Sequence, residues 1–150
     1  MKRFTYRFET LLKLREQEED QARKRLALAL QNAAEAREHH ARAQAERRQL
    51  EKAWAEALTR PGLTPDVNGC FELYRDSIEL QIVDLAKAEA TAVLESAKAR
   101  TAVSEAHRKT EILLKLRDRK ASKHKLDVLK QEQEQFDETA VLRFAAAGGQ

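Results

Sequence analysis

Two histidines stand side by side at His39-His40, and the chain's single cysteine is Cys70. A structural or catalytic metal centre needs three or four N, S or O ligands converging on one point. Neighbouring residues of a helix point about 100° apart, so this pair cannot share an ion. No carboxylate or cysteine is spaced to complete a set around either one. Ser, His and acidic residues also occur, but nucleophilic chemistry needs a concave pocket to hold them together. The phosphate-cradling pattern of closely spaced glycines is missing. No catalytic residue, metal ligand or cofactor is therefore expected, and the chain is not expected to be an enzyme.

The densest chemistry is cationic. The stretch KLRDRKASKHK at 115–125 sets Lys115, Arg117, Arg119, Lys120, Lys123 and Lys125 against Asp118 alone. Such a block is either a solvated basic face or a contact for an acidic protein surface. A leucine-zipper DNA reader would carry the block ahead of a regular leucine seam, with an asparagine to read bases. Neither accompanies it. The overall charge of +3 and a pI near 9.1 are too balanced to imply a nucleic-acid binder by themselves. A basic nucleic-acid-binding hairpin remains the weaker alternative to a protein-interaction module.

What could position these residues is narrowly bounded by composition. Charged residues form 35% of the 150, against about 25% in ordinary domains, and aromatics only 5%. Four glycines and two prolines leave few places for the backbone to turn. A chain rich in Ala, Glu, Lys, Leu and Arg and poor in breakers points to long helices. No apolar run approaches the ~20 residues that span a bilayer. The opening MKRFTYRFETLLKLRE lacks the continuous apolar segment of a secretory signal. A single cysteine fits a reducing compartment.

Steps of four and three from Phe8 reach Leu12, Arg15, Glu19, Ala22, Leu26, Ala29, Ala33, Ala36, His40, Ala43, Arg47, Leu50, Trp54 and Ala57. Eleven of these fifteen positions are apolar, which is the repeat of a supercoiled seam. The pattern stops at TRPGLTPDVNG, residues 59–69, which holds both prolines and two of the four glycines. Pro61 cannot continue a helix, Gly62 suits a turn, and Thr64 before Pro65, or Asn68, would cap the next helix.

A second seam is expected at Tyr74, Ile78, Gln81, Leu85, Ala88, Ala92, Glu95, Ala99, Ala102, Ala106, Lys109, Leu113, Leu116 and Lys120. Folding the chain back sets Trp54 on Tyr74, Leu50 on Ile78, Ala29 on Ala99, Leu12 on Leu116, and Glu19 opposite Lys109. Lys120 falls opposite Phe8. The expected fold is all-α: a long antiparallel two-helix coiled-coil hairpin, with helices over about 4–58 and 70–142 and a turn over 59–69. It forms one domain over 1–150, with 144–150 disordered. At ~1.5 Å per residue the arms would be about 80 and 110 Å long.

Residues beyond about Asp127 overhang the first arm in this register. Leu126, Leu129, Phe136, Ala140 and Phe144 then lie at helical spacing without a partner, a docking stripe from Leu126 to Phe136 and a fraying tail after Ala140. At the other end Trp54, Phe71, Tyr74 and Ile78 gather. Phe71 and Tyr74 cannot both face Trp54, so one of them is displayed.

The opening Phe4-x-Tyr6-x-Phe8-x-x-Leu11-Leu12-x-Leu14-Arg15-Glu16-x-x-Glu19-x-x-Ala22 resembles the amino-terminal signature of the FliJ family of flagellar export proteins. QEQEQFDETAVL at 131–142 is similar to that family's closing motif, here Phe136-Asp137-Glu138, and YRDSIELQI matches the start of its second arm. The resemblance implies a non-enzymatic part of the flagellar type III export apparatus, a coiled-coil stalk similar to the central subunit of rotary ATPases. The implied partners are the hexameric export ATPase, the cytoplasmic domain of the export gate, and export chaperones, with no nucleic acid and no membrane insertion. The implied location is cytoplasmic, peripheral to the inner membrane at the flagellar base. Gate binding carries over to Tyr74 and Ile78, and Phe71 joins them from the aromatic group beside Trp54. Gln81 and Leu85 follow where the family has small and polar residues. ATPase binding carries over to Phe8, Leu12 and Phe136, and the docking stripe adds Leu126 and Leu129. The equivalent stalk of a virulence type III secretion system is the alternative within the same resemblance.

Overall fold

The computed structural model describes residues 2–149. Two long helices, α1 (Glu9–Thr59) and α2 (Pro65–Gly148), pack against each other as a helical hairpin. The chain divides into two compact units, one of Met1–Glu19 with Glu105–Gln150 and one of Asp20–Ser104.

The unit Asp20–Ser104 contains the chain reversal. α1 closes where the Thr59 hydroxyl donates to the Glu56 carbonyl at 2.7 Å, and Pro61 removes the next helical donor. Gly62 takes a φ of 107°, a left-handed conformation that side chains disfavour. α2 begins five residues before its expected start, because Thr64 and Pro65 act as a complete helix start. The Thr64 hydroxyl accepts from the Val67 amide at 3.3 Å, Pro65 occupies the first helical position, and the Asn68 amide closes the first turn on the Thr64 carbonyl at 3.0 Å. The expected turn over 59–69 therefore shrinks, and Gly69 sits inside the helix.

Trp54 anchors this reversal. Its indole stacks on Phe71 with centroids 5.8 Å apart and planes within 6°, and the Arg75 guanidinium lies 5.3 Å from its ring centre. The indole N–H donates to Asn68 Oδ1 at 2.8 Å. Phe71 thus takes the place expected for Tyr74, and Tyr74 is the aromatic left exposed. Behind the cluster Leu50 and Ile78 are buried, and along the seam so are Ala22, Ala33 and Ala43.

The first arm's expected seam is inward-facing at every position in this unit, from Ala22 to Ala57. On α2 only alternate positions agree. Ile78, Leu85, Ala92 and Ala99 are covered, but Gln81, Ala88, Glu95 and Ala102 are exposed, and Ile82, Glu89, Ser96 and Val103 turn inward in their place. Ile82 and Val103 bury more apolar area than Gln81 and Ala102 could, which sets the rotation of the helix. The polar members are compensated. His40 Nδ1 donates to Glu89 Oε2 across the seam at 2.6 Å, with Arg37 Nε 3.7 Å from the other carboxylate oxygen. The Ser96 hydroxyl donates to the Val93 carbonyl at 2.7 Å.

In the unit Met1–Glu19 with Glu105–Gln150, residues 2–8 precede the helix instead of belonging to it. Phe4, Tyr6 and Phe8 alternate with Arg3, Thr5 and Arg7, a period of two, and side-chain contacts to α2 replace helical bonds. The buried Tyr6 donates its hydroxyl to the Leu113 carbonyl at 3.0 Å, and its own carbonyl accepts the Glu9 amide at 3.2 Å. Phe4 packs on the His124 ring at 5.6 Å, and His124 Nε2 donates to the Lys2 carbonyl at 3.1 Å. Leu12 is the fully buried side chain here. The Lys120 ammonium does meet Phe8, 5.2 Å from its ring centre. Glu19 does not meet Lys109, which is exposed. The buried Glu19 carboxylate instead accepts from His107 Nδ1 at 2.9 Å, two residues earlier on α2, following the same rotation of that helix. Thr110 is buried on the seam with its hydroxyl on the Ala106 carbonyl at 3.1 Å. α2 runs past the expected end at Leu142 to Gly148, through most of the stretch expected to be disordered, while Gln150 lies outside the described residues.

Candidate docking surfaces

Each unit displays apolar side chains that its own packing leaves open. In Asp20–Ser104 those nearest the expected gate residues are on the first turns of α2. Tyr74 is 53% exposed, and Leu73 and Leu80, one heptad apart, are exposed on another face of the same turns. Of the other two residues expected there, Phe71 is half-buried against Trp54 and Ile78 is 1% exposed. Tyr74 is therefore the side chain of the three that reaches solvent, and Phe71 and Ile78 form the floor that holds its helical turn. Leu73 and Leu80 escaped the sequence reading, although their seven-residue spacing on the face opposite Ile78 was a usable signal.

In the other unit the five expected residues also divide into floor and display. Leu12 is buried and Phe8 half-buried. Leu126, Leu129 and Phe136 are exposed, Phe136 by 75%. α2 beyond Val128 is helical and open nearly all round, so Val141, Leu142 and Phe144 are also displayed. Beside Leu129 a shallow groove is lined by Lys2, His124, Lys125, Val128 and Glu132.

The same unit gathers charge that sequence spacing alone could not connect. The contacts of Tyr6 with Leu113, of Phe4 with His124 and of His124 with Lys2 lay the amino-terminal segment along the basic stretch of α2. Lys2, Arg3 and Arg7 thereby join the six cations of 115–125 on one part of the surface. Lys115 is neutralised by Glu111 at 3.1 Å, and Arg117 lies 4.0 Å from Asp118. Of the others, Arg7 and Lys120 lie over the Phe8 ring, and the field as a whole is positive.

Among the described residues no group of three His, Cys, Asp or Glu side chains converges, and His40 and His107 are committed to carboxylates. Among the same residues no helix is long and apolar enough to cross a membrane. Cys70 is exposed.

No curated protein and no solved structure matches the chain. Residues 4–149 match the family model described as Flagellar FliJ protein, which covers both the aromatic amino-terminal segment and the projecting end of α2. On that match the chain belongs to the FliJ family and is a non-catalytic component of the flagellar export apparatus.

Proposed function

We propose that this chain is a coiled-coil stalk that couples the hexameric export ATPase to the cytoplasmic domain of the export gate and also receives export chaperones. It works at the cytoplasmic face of the inner membrane, peripherally, at the flagellar base. The ATPase is met by the terminal unit, where Phe8 and Leu12 brace the fold and Leu126, Leu129 and Phe136 make contact. The gate is met by Tyr74, supported by Phe71 and Ile78.

The observation that carries this reading is apolar surface left exposed in both units, at Tyr74 in one and at Leu126, Leu129 and Phe136 in the other. A protein that only folded on itself would gain by making Phe136 and Leu73 polar. A coupling element needs two such patches held on rigid backbone. Helices provide that rigidity, and the two patches can be removed one at a time.

Truncation after Lys125 is expected to abolish co-purification with the export ATPase while the helical circular dichroism of the remaining chain persists. The full-length Tyr74→Ala variant is expected to retain the ATPase and lose the gate domain. Undiminished ATPase capture by the truncated chain would sink the terminal assignment, and undiminished gate capture by Tyr74→Ala would sink the other.

A further inference from the structure

The exposed end of α2 carries a pattern that selects a particular occupant. Positions Leu126, Leu129, Gln133, Phe136, Ala140 and Arg143 follow steps of three and four, the seam of a two-stranded coil. All six are exposed, and α2 is helical throughout. This spacing is symmetric about a point between Glu134 and Gln135. Laid antiparallel on a copy of itself, the stripe sets Leu129 on Ala140, Gln133 beside Phe136, and Leu126 under the aliphatic stem of Arg143.

The flanks then decide orientation. In a parallel pair the flanking contacts would be Lys125 with Lys130 and Glu132 with Asp137, two like-charge encounters on each side. In the antiparallel pair Lys130 of each copy faces Asp137 of the other, twice by symmetry. Among the described residues neither Lys130 nor Asp137 forms an ion pair within its own chain.

We propose that the projecting end of α2 is a self-association surface, where two copies of this chain pair antiparallel through Leu126–Arg143. The two-fold pairing is isologous and closes at two chains. Three heptads with Gln133 and Arg143 on the seam make a weak coil, so the dimer forms in the micromolar to millimolar range. It uses the stripe assigned above to the ATPase and makes the two contacts mutually exclusive. The dimer itself stands on the charge pattern and does not require that assignment.

Sedimentation equilibrium of the full chain, in reducing buffer to keep Cys70 from cross-linking, is expected to show a concentration-dependent monomer–dimer equilibrium. Lys130→Asp and Asp137→Lys alone should each weaken the dimer about tenfold or more, since each replaces two attractions by two repulsions. An equimolar mixture of the two variants should restore it, because every flanking contact is again between opposite charges. Both substitutions are on exposed helix positions, and unchanged circular dichroism controls for folding. A wild-type chain that stays monomeric at millimolar concentration overturns the proposal. So does a dimer indifferent to both charge reversals, or a mixture that fails to recover. ATPase capture by the monomeric wild type in the first of these outcomes would leave the docking assignment standing alone.

Discussion

Two stretches of α2 meet opposite fates although one helix carries both. From Ile78 to Thr110 the inward face includes Glu89, Ser96 and Thr110, and these polar side chains are wholly or partly buried. From Leu126 to Phe144 the helix offers Leu126, Leu129, Phe136, Val141, Leu142 and Phe144, and these are exposed. Burial here follows the presence of a facing arm and not the hydrophobicity of the residue. The paired stretch tolerates polar atoms because each has a hydrogen bond waiting, and no buried side-chain N or O among the described residues lacks one. The unpaired stretch keeps apolar surface that no internal contact rewards, as expected of a helix whose facing partner is another molecule.

Predictions that test this contrast begin with the paired stretch. Ile78→Ala removes a fully buried side chain beside the reversal and should cost about 2–4 kcal/mol, read as a large fall in the midpoint of thermal or urea unfolding. His40→Ala takes the nearest donor from Glu89 but leaves Arg37 close by. A loss of about 1 kcal/mol is expected, and a loss as large as that of Ile78→Ala would mean the polar pair, not the apolar seam, holds this part of the hairpin. Phe136→Ala should leave stability unchanged within about 0.5 kcal/mol while weakening ATPase association. A marked destabilisation by that change would erase the distinction between the stretches.

Much of the fold was legible because α1 carries its seam in an unambiguous phase. Every expected position from Phe8 to Ala57 is wholly or partly covered. From Ile78 to Ala102 α2 was legible only at alternate positions. By spacing alone its alanines at 88 and 102 fit the seam as well as Glu89 and Val103, and hydropathy alone prefers an alanine to a glutamate. The choice is made by His40 on the other arm and by the larger area of Ile82 and Val103, and neither is a property of local spacing. The same limit applies to the docking residues. The projection of Leu126, Leu129 and Phe136 follows from unequal arm lengths, which can be counted. The burial of Ile78 follows from its expected place on the seam, but the exposure of Tyr74 depends on Phe71 winning the stack on Trp54, a competition between aromatics that spacing does not decide. The alternation of Phe4, Tyr6 and Phe8 with Arg3, Thr5 and Arg7 was passed over when the first helix was expected from residue 4, and it is the signal that separates this segment from α1.

Gly62 carries a wider consequence. Its φ of 107° lies on the mirror side of the conformational map, and a side-chain carbon built there would meet nothing within 4 Å. Handedness, not space, is what excludes other residues at the reversal. An alanine of ordinary chirality would strain the hairpin's bend, whereas its D-enantiomer would sit without conflict and restrict the unfolded chain. One stereocentre could therefore loosen or tighten the meeting of the two arms without altering a single contact between them.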